Sequence, residues 1–325
     1  MLPALLLTAG LGTRLRPLSS MRAKAAMPVA GEPLVRRILR WLAASGVTDV
    51  VLNLHHLPET VCAAVGDGAD LGLRARYSFE NPVLGSAGGP RRAVPLLGSD
   101  RFFIINGDTL TDLDPALLAR EHHSSGALVT LAVVPNRSPG RYGGVLMDDG
   151  GVVSGFVGRG SNRPSWHFVG VQVVEAEAFS GLPADQPAES VGMVYPALIR
   201  KRPGSVRALA FDASFVDIGT PADYLATSLA LAGAAEAERI SLPSLLAGPR
   251  TTIAPSARVV RTILWDDVEV GDDASLTDCI IADAVRVPPG ARWRGRAVVP
   301  AGRCAARPGD EIAGDLLLTS IDRSR

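Results

Sequence analysis

Apolar residues fall along this chain in short blocks, and the blocks alternate between two spacings. Leu5-Leu6-Leu7 is a continuous apolar run, short enough for a strand buried on both faces. Residues 33–44 put Leu34, Ile38, Leu39 and Leu42 on one helical face and Arg36, Arg37 and Arg40 off it. The run VTDVVLNL at 47–54 returns to a strand pattern, 57–65 reads as a short helix, and 74–79 and 102–105 read as further strands. This alternation predicts a mostly parallel sheet with helices on both faces, in which ligands bind beyond the carboxyl ends of the strands. Between 127 and 215 strand patterns dominate: ALVTLAVV, GGVLMDD, HFVGVQVV and VRALAF. A helix is expected over 221–240 and a linker at about 241–252.

The tail carries a repeat. Ile253, Val270 and Val287 stand 17 residues apart, and Cys304 continues the step. Val259, Leu276 and Trp293 share the period, as do Leu264, Ile281 and Val298, and the segments IAPSAR, VGDDAS and VPPGAR take equivalent places. Such a period predicts a parallel β-helix of about three coils over 253–325. The division expected is therefore 1–240, a linker at 241–252, and the repeat tail at 253–325. So short a tail reads as an oligomerisation or regulatory element. A second catalytic centre, such as an acyltransferase, is not expected, since no histidine follows His167.

The first apolar run breaks into Gly10 and Gly12, followed by Thr13, Arg14 and Arg16. A strand entering a glycine turn exposes backbone N–H groups that bind anions, and a guanidinium just beyond suits a polyphosphate. Two other glycine motifs fit less well. The dinucleotide fingerprint finds Leu15 where its third glycine belongs, and the P-loop string is absent. A plain strand-to-helix turn explains neither Arg14 nor the segment from Lys24 to Pro28. The chain has only two lysines, Lys24 and Lys201, against 31 arginines, which makes Lys24 stand out.

Formal net charge is zero, which argues against nucleic acid or an anionic membrane as partner, so any phosphate attraction must be local. Cys62, Cys279 and Cys304 lie far apart without a C-x-x-C, which suggests neither a disulfide framework nor a zinc site and fits a reducing cytoplasm. The histidine pairs His55-His56 and His122-His123 have no i, i+4 partner and read as surface or loop residues. The N-terminus lacks a basic n-region, so no signal peptide is expected, and no apolar stretch reaches the roughly 18 residues of a membrane span.

The run AGLGTRLRPLS at 9–19, followed by RAKAAMPVAGEPL at 22–34, resembles the signature of the sugar-1-phosphate nucleotidylyltransferases. These enzymes join a nucleoside triphosphate to a sugar 1-phosphate and release pyrophosphate. The resemblance implies a Rossmann-like α/β domain, Mg2+ as cofactor, and a tail similar to the left-handed β-helices of several subfamilies, through which a homo-oligomer is expected. It implies nucleotide contacts at Leu7, Ala9, Gly10, Gly12 and Thr13, with Arg14 on the leaving phosphates and Lys24 at the α-phosphate.

Other segments extend the likeness. ENPVLGSAGG at 80–89 is similar to the family's base-binding loop, with Ser86 for threonine, and implies roles for Glu80, Gly85, Ala87 and Gly88. Asp108 in Asn106-Gly107-Asp108, and Asp217 in FVDIGTPADYL, match the metal-binding aspartates; otherwise Asp108 reads as a turn residue and Asp217 as an N-cap. Asn106, Gly143 after Tyr142, Gly170 and Glu189 match sugar-binding positions. One departure stands out: where relatives place a phosphate-gripping lysine, this chain reads GFVGRGSNRP, leaving Arg159 or Arg163 as the cation.

GTP and mannose 1-phosphate are the favoured pair, because LGSAG and RAKAAMPVAG look most like the guanylyl branch with a β-helix tail. Uridylyl and thymidylyl transfer remain open, and the first 130 residues are also similar to enzymes that activate amino sugars. A weakly active regulatory subunit that binds a nucleotide sugar is a rival reading, and a dinucleotide-dependent oxidoreductase a remote one.

Overall fold

The computed structural model describes residues 1–233, 237–238 and 240–322. The chain divides into two compact units: Met1–Gly10 with Val35–Val216, and Leu11–Leu34 with Asp217–Arg325. The segment 11–34 thus groups with the tail, and the division does not follow boundaries at 240 and 253.

The first unit is mixed α/β. Its strands are β1 (Ala4–Leu7), β2 (Asp49–Leu54), β3 (Arg74–Phe79), β4 (Arg101–Asn106), β5 (Val129–Pro135), β6 (Gly144–Met147), β7 (Val153–Val157), β8 (Trp166–Glu175) and β9 (Val206–Ala210). They form one sheet in the order β7-β6-β8-β4-β1-β2-β3, with β5 pairing β8 and β9. The stretch β4-β1-β2-β3 is wholly parallel, as is the β5–β9 pair, while β8 joins its neighbours antiparallel. The apolar runs are the buried strands: Leu5, Leu6, Val50 to Leu52 and Phe102 to Ile105 are closed to solvent. Parallel register sets Leu7 opposite both Asn53 and Asn106, so three strands end on one edge.

Helices α1 (Leu34–Ala44), α2 (Pro58–Val65), α3 (Gly85–Leu97), α4 (Pro115–Ser125) and α5 (Tyr195–Lys201) connect the strands. The glycine-rich string at 85–89, which reads as a loop, instead opens α3; Pro90 and Pro95 within that helix masked its pattern. Among the described residues, no helix is long and apolar enough to cross a membrane.

In the second unit, α6 spans Pro221–Ala232. Residues 234–236 and 239 of the helix expected to reach 240 lie outside the described residues. The tail is a parallel β-helix whose coils stack at the predicted period. Ile253, Val270 and Val287 align, as do Val259, Leu276 and Trp293, and Leu264, Ile281 and Val298. Most of the stacked aliphatic residues form the tail's core, whereas Ile253 in the first coil and Trp293 in the last are only half-buried. Part of the expected linker joins the first coil, with Leu264 N donating to Leu246 O and Gly248 N to Leu264 O, both at 2.8 Å.

The repeat does not continue through Cys304. Gly302, at φ +85°, turns the chain, and Leu316–Ser320 runs back antiparallel along Arg296–Pro300 with Glu311–Ala313 at its side. Cys304 lies in the connecting loop, and an antiparallel hairpin replaces a fourth coil.

The signature segment 11–34 is built from three 3-10 turns, Thr13–Leu15, Leu18–Ser20 and Lys24–Ala26, and a short antiparallel pair, Pro28–Val29 with Glu32–Pro33. Such short turns have little stability of their own. Arg22 provides an anchor: Nε and Nη2 donate to the two oxygens of Asp283 at 2.8 and 2.6 Å, and Nη2 lies 2.8 Å from Asp266. Its guanidinium sits 5.3 Å from the ring centroid of the buried Trp265. Trp265 Nε1 donates to the Tyr224 hydroxyl at 2.9 Å, and that hydroxyl donates to the carbonyl of Pro28. Burial pushes the Asp283 carboxyl above its usual range, and Arg22 draws it back. Replacing Arg22 by alanine strands a mostly buried carboxylate; a loss of about 3 kcal/mol is expected, read as a lowered denaturation midpoint. An unchanged midpoint would refute the anchoring role.

Candidate active site

The edge where β1, β2 and β4 end carries much of the predicted site in the first unit. The chain leaving β1 is held by Asn53, whose Oδ1 accepts from Thr8 N at 2.6 Å and Ala9 N at 3.2 Å. Thr8 Oγ1 donates to Asn53 O at 2.5 Å. Behind Asn53 stands Glu80, 4% exposed: its Oε1 accepts from Asn53 Nδ2 and its Oε2 from Leu84 N, both at 2.7 Å. Both Glu80 oxygens are therefore engaged within the protein, bracing the glycine turn through Asn53 and the start of α3 through Leu84. Burial raises the Glu80 pKa, partly offset by these two donors. Sequence reading missed Asn53, although an asparagine in the otherwise apolar strand VVLNL was the available signal.

Gly107 N donates to Leu7 O at 3.0 Å, so the Asn106-Gly107-Asp108 turn lies against the end of β1. Asp108 is half-buried, and its Oδ1 lies 3.4 Å from the Thr109 hydroxyl. Asn106 and Gly170 are brought together: a Cβ on Gly170 would fall 2.8 Å from that of Asn106. Gly85, Ala87 and Gly88 form the first turn of α3, with Ala87 N donating to Ala188 O at 2.9 Å. Glu189 is tied to this turn, its Oε2 accepting from Ser86 Oγ at 2.7 Å. Gly143 lies exposed on the segment before β6. Arg159 stands in an exposed turn after β7, and among the described residues it makes no hydrogen bond to the other predicted sugar residues.

Next to Gly143, the Tyr142 ring packs on His167 at 4.2 Å between centroids, and His167 packs on Phe215 at 4.7 Å. Burial pushes the His167 pKa down to about 4, against the opposing effect of a hydrogen bond to the Gly143 backbone. Unfolding restores the ordinary value near 6.5, so His167 contributes stability above that pH and loses it as pH falls towards 4. The acid side of a stability-versus-pH curve is therefore expected to flatten in His167→Phe, and a wild-type slope would count against it.

In the second unit, Gly12 adopts φ +58°, a left-handed conformation, and accepts at its carbonyl from Leu15 N at 2.9 Å and Ser19 Oγ at 2.8 Å. A Cβ there would lie 3.1 Å from Ser19 and 3.6 Å from the Lys24 Cβ, so Gly12 and Lys24 are close. Thr13 opens the 3-10 turn that carries Arg14. A Cβ on Gly219 would lie 3.1 to 3.3 Å from the Arg14 guanidinium, so the glycine of the D-I-G-T-P string leaves the space that Arg14 occupies. That coupling was invisible in sequence, where the two positions are 205 residues apart. Asp217 is half-buried and takes no part in capping α6; Thr220 and Asp223 form that capping box.

Truncating Asn53 to alanine removes the acceptor for two backbone N–H groups and leaves buried Glu80 short of a donor. A loss of about 1–3 kcal/mol is expected, with faster hydrogen exchange at Thr8 and Ala9. Unaltered exchange there would show that the turn is braced elsewhere.

A glycine turn at the parallel strand ends of an α/β sheet is the arrangement found in nucleotide-binding folds. The nucleotidyl transferase family model matches residues 3–233, and the chain belongs to that family. It is 32% identical over 300 residues to mannose-1-phosphate guanylyltransferase of Mycobacterium tuberculosis, covering 88% of this chain and 81% of that protein. It is 34% identical over 242 residues to N-acetylmuramate alpha-1-phosphate uridylyltransferase of Neisseria meningitidis, covering 71% of this chain and 98% of that one. The fold is shared with the crystal structure of HddC from Yersinia pseudotuberculosis, at a TM-score of 0.62 and 24% identity over 70% of this chain and 98% of the other.

Proposed function

We propose that the chain transfers a guanylyl group from GTP to mannose 1-phosphate, giving the nucleotide sugar and pyrophosphate. The observation that carries this choice is the reach of the similarity. The match to the mycobacterial guanylyltransferase extends over 88% of the chain, beyond the segment 3–233 and into the β-helix. The neisserial uridylyltransferase is matched almost end to end by 71% of this chain, and its slightly higher identity keeps uridylyl transfer to an amino-sugar phosphate as the second reading.

In the mechanism proposed, an oxygen of the sugar phosphate attacks the α-phosphorus in line as the bond to the pyrophosphate oxygen breaks. The nucleophile is already an anion, so alignment and charge neutralisation replace a general base. The backbone from Gly10 to Gly12, with Leu7, Ala9 and Thr13, cradles the nucleotide phosphates. Arg14, seated against Gly219, holds the leaving β,γ-phosphates, and Lys24 stabilises charge at the α-phosphate. Gly85, Ala87 and Gly88 receive the base, with Glu80 supporting them from the interior. Asn106, Gly143, Arg159, Gly170 and Glu189 are the proposed sugar contacts.

Asp108 and Asp217 are the proposed Mg2+ ligands. Among the described residues no group of three His, Cys, Asp or Glu side chains is assembled. Two hard carboxylates suit an ion that takes its remaining ligands from phosphates and water. When bound, Mg2+ neutralises charge on the transferring phosphate. Residues 1–240 are proposed to carry transfer, and the coils after 253 to carry homo-oligomer contacts.

The test is pyrophosphate release with Mg2+, crossing five nucleoside triphosphates with a panel of sugar 1-phosphates. Turnover with GTP and mannose 1-phosphate alone is the expected result. Preference for UTP with an amino-sugar phosphate selects the second reading, and nucleotide-sugar binding without any turnover selects a regulatory subunit. In the active pair, Arg14→Ala and Asp108→Asn are each expected to lower kcat by about 10²–10³. Near-normal turnover by either would remove that residue from the mechanism.

A further inference from the structure

The C-terminal hairpin does more than close the β-helix. Within the second unit a cleft of about 580 Å³ is lined by Arg14 and Arg16 of the signature segment, Thr220 and Pro221 at the start of α6, and Arg307 and Thr319 of the tail. Among the described residues no acidic side chain lines it. Among the described residues none of the three arginines is paired with a carboxylate. Elsewhere in the same unit Arg22, Arg250, Arg261, Arg286 and Arg296 each face an aspartate or glutamate, and Arg258, Arg292, Arg294 and Arg303, unpaired among the described residues, do not line this cleft. The cleft therefore concentrates uncompensated positive charge in a chain whose formal net charge is zero.

Two further features suit an anion. Helix α6, twelve residues long, begins at the cleft wall, and the partial positive charge of its N-terminus adds to that of the guanidiniums. Its Asp223 carboxylate is engaged by the N–H and hydroxyl of Thr220 and does not line the cleft. The Thr319 hydroxyl is buried, on a residue 4% exposed, and has no hydrogen-bond partner among the described residues. Arg307 is itself held in a tight turn, where its N–H donates to Asp310 Oδ2 at 2.7 Å and its carbonyl accepts from Asp310 N at 2.9 Å.

We infer that Arg307 is a further binding residue for the leaving diphosphate, so that the tail supplies one wall of the site that holds the β,γ-phosphates and then pyrophosphate. Three guanidiniums match two linked phosphates better than one, because each offers paired, planar donors to separate oxygens. This inference rests on the transferase reading given above, since it assigns Arg14 to the same diphosphate.

The test uses the full-length protein and inorganic pyrophosphate as probe. By calorimetry, Arg307→Ala is expected to bind pyrophosphate about tenfold more weakly and Arg307→Lys to recover part of the loss. Nucleoside triphosphate is expected to displace the bound pyrophosphate. In the reverse reaction the KM for pyrophosphate rises about tenfold in Arg307→Ala, while the KM for the nucleotide sugar stays within about twofold. Arg307 is exposed, so an unchanged melting temperature is expected to accompany the loss. Pyrophosphate affinity within twofold of wild type in Arg307→Ala overturns the inference, as does binding that triphosphate fails to displace or equal affinity for inorganic phosphate. A protein that turns over no substrate pair, yet loses pyrophosphate in Arg307→Ala, retires the transferase reading and leaves the diphosphate site standing.

Discussion

The interaction on which the signature segment most depends is the ion pair from Arg22 to Asp283 and Asp266, laid over the indole of Trp265. A segment of three 3-10 turns and one two-residue antiparallel pair has little regular structure to hold its form. Its residues must be held from outside, and Arg22 lies two positions before Lys24. The two aspartates are 17 residues apart, one coil of the β-helix, so stacking of the coils itself sets their spacing for a single guanidinium. The chain Trp265–Tyr224–Pro28 makes a second tie from the same indole to the other end of Lys24. The tail is thus part of the scaffold of the signature segment, although the family model ends at 233.

The glycine turn is supported by different chemistry in each unit. In the first, a buried acid works at one remove: Glu80 orients Asn53, and Asn53 receives the backbone N–H groups of Thr8 and Ala9. In the second, shape favours the turn, since a Cβ at Gly12 would combine a left-handed backbone with a tight 3.1 Å approach to Ser19. Polar satisfaction and shape both fix the backbone of the turn before a ligand arrives, which is the kind of preorganisation the proposed transfer needs.

Much of this was legible in the sequence where a period or a short string carried it. The strand at Leu5–Leu7, the parallel alternation and the 17-residue register of the tail follow from spacing alone, because burial on both faces or stacking of identical coils demands it. The rest was hidden for physical reasons. Helix α3 carries Gly and Pro at positions that local propensity reads as a loop, and tertiary packing overrides them. The hairpin at Leu316–Ser320 replaced a fourth coil because a hydrophobic period records only what stacks, not what caps the stack. Asn53, Arg22 and Gly219 act on partners far along the chain, and no local spacing encodes such contacts.

A chain with 31 arginines and two lysines has to prevent its cations from binding polyanions indiscriminately. Balance in number is not sufficient, because guanidiniums left unpaired anywhere on the surface would attract phosphate by themselves. The structure answers this in part by pairing. Along the β-helix, Arg250, Arg261 and Arg286 each meet an acid one coil away, at Asp267, Asp278 and Glu269. Such exposed pairs contribute little to stability. Their effect is to cancel part of the charge on the outer face, where Arg258, Arg292 and Arg294 stay exposed, whereas Arg14, Arg16 and Arg307 converge on one cleft. Selectivity for a phosphate ligand then arises as much from where charge is cancelled as from where it is displayed.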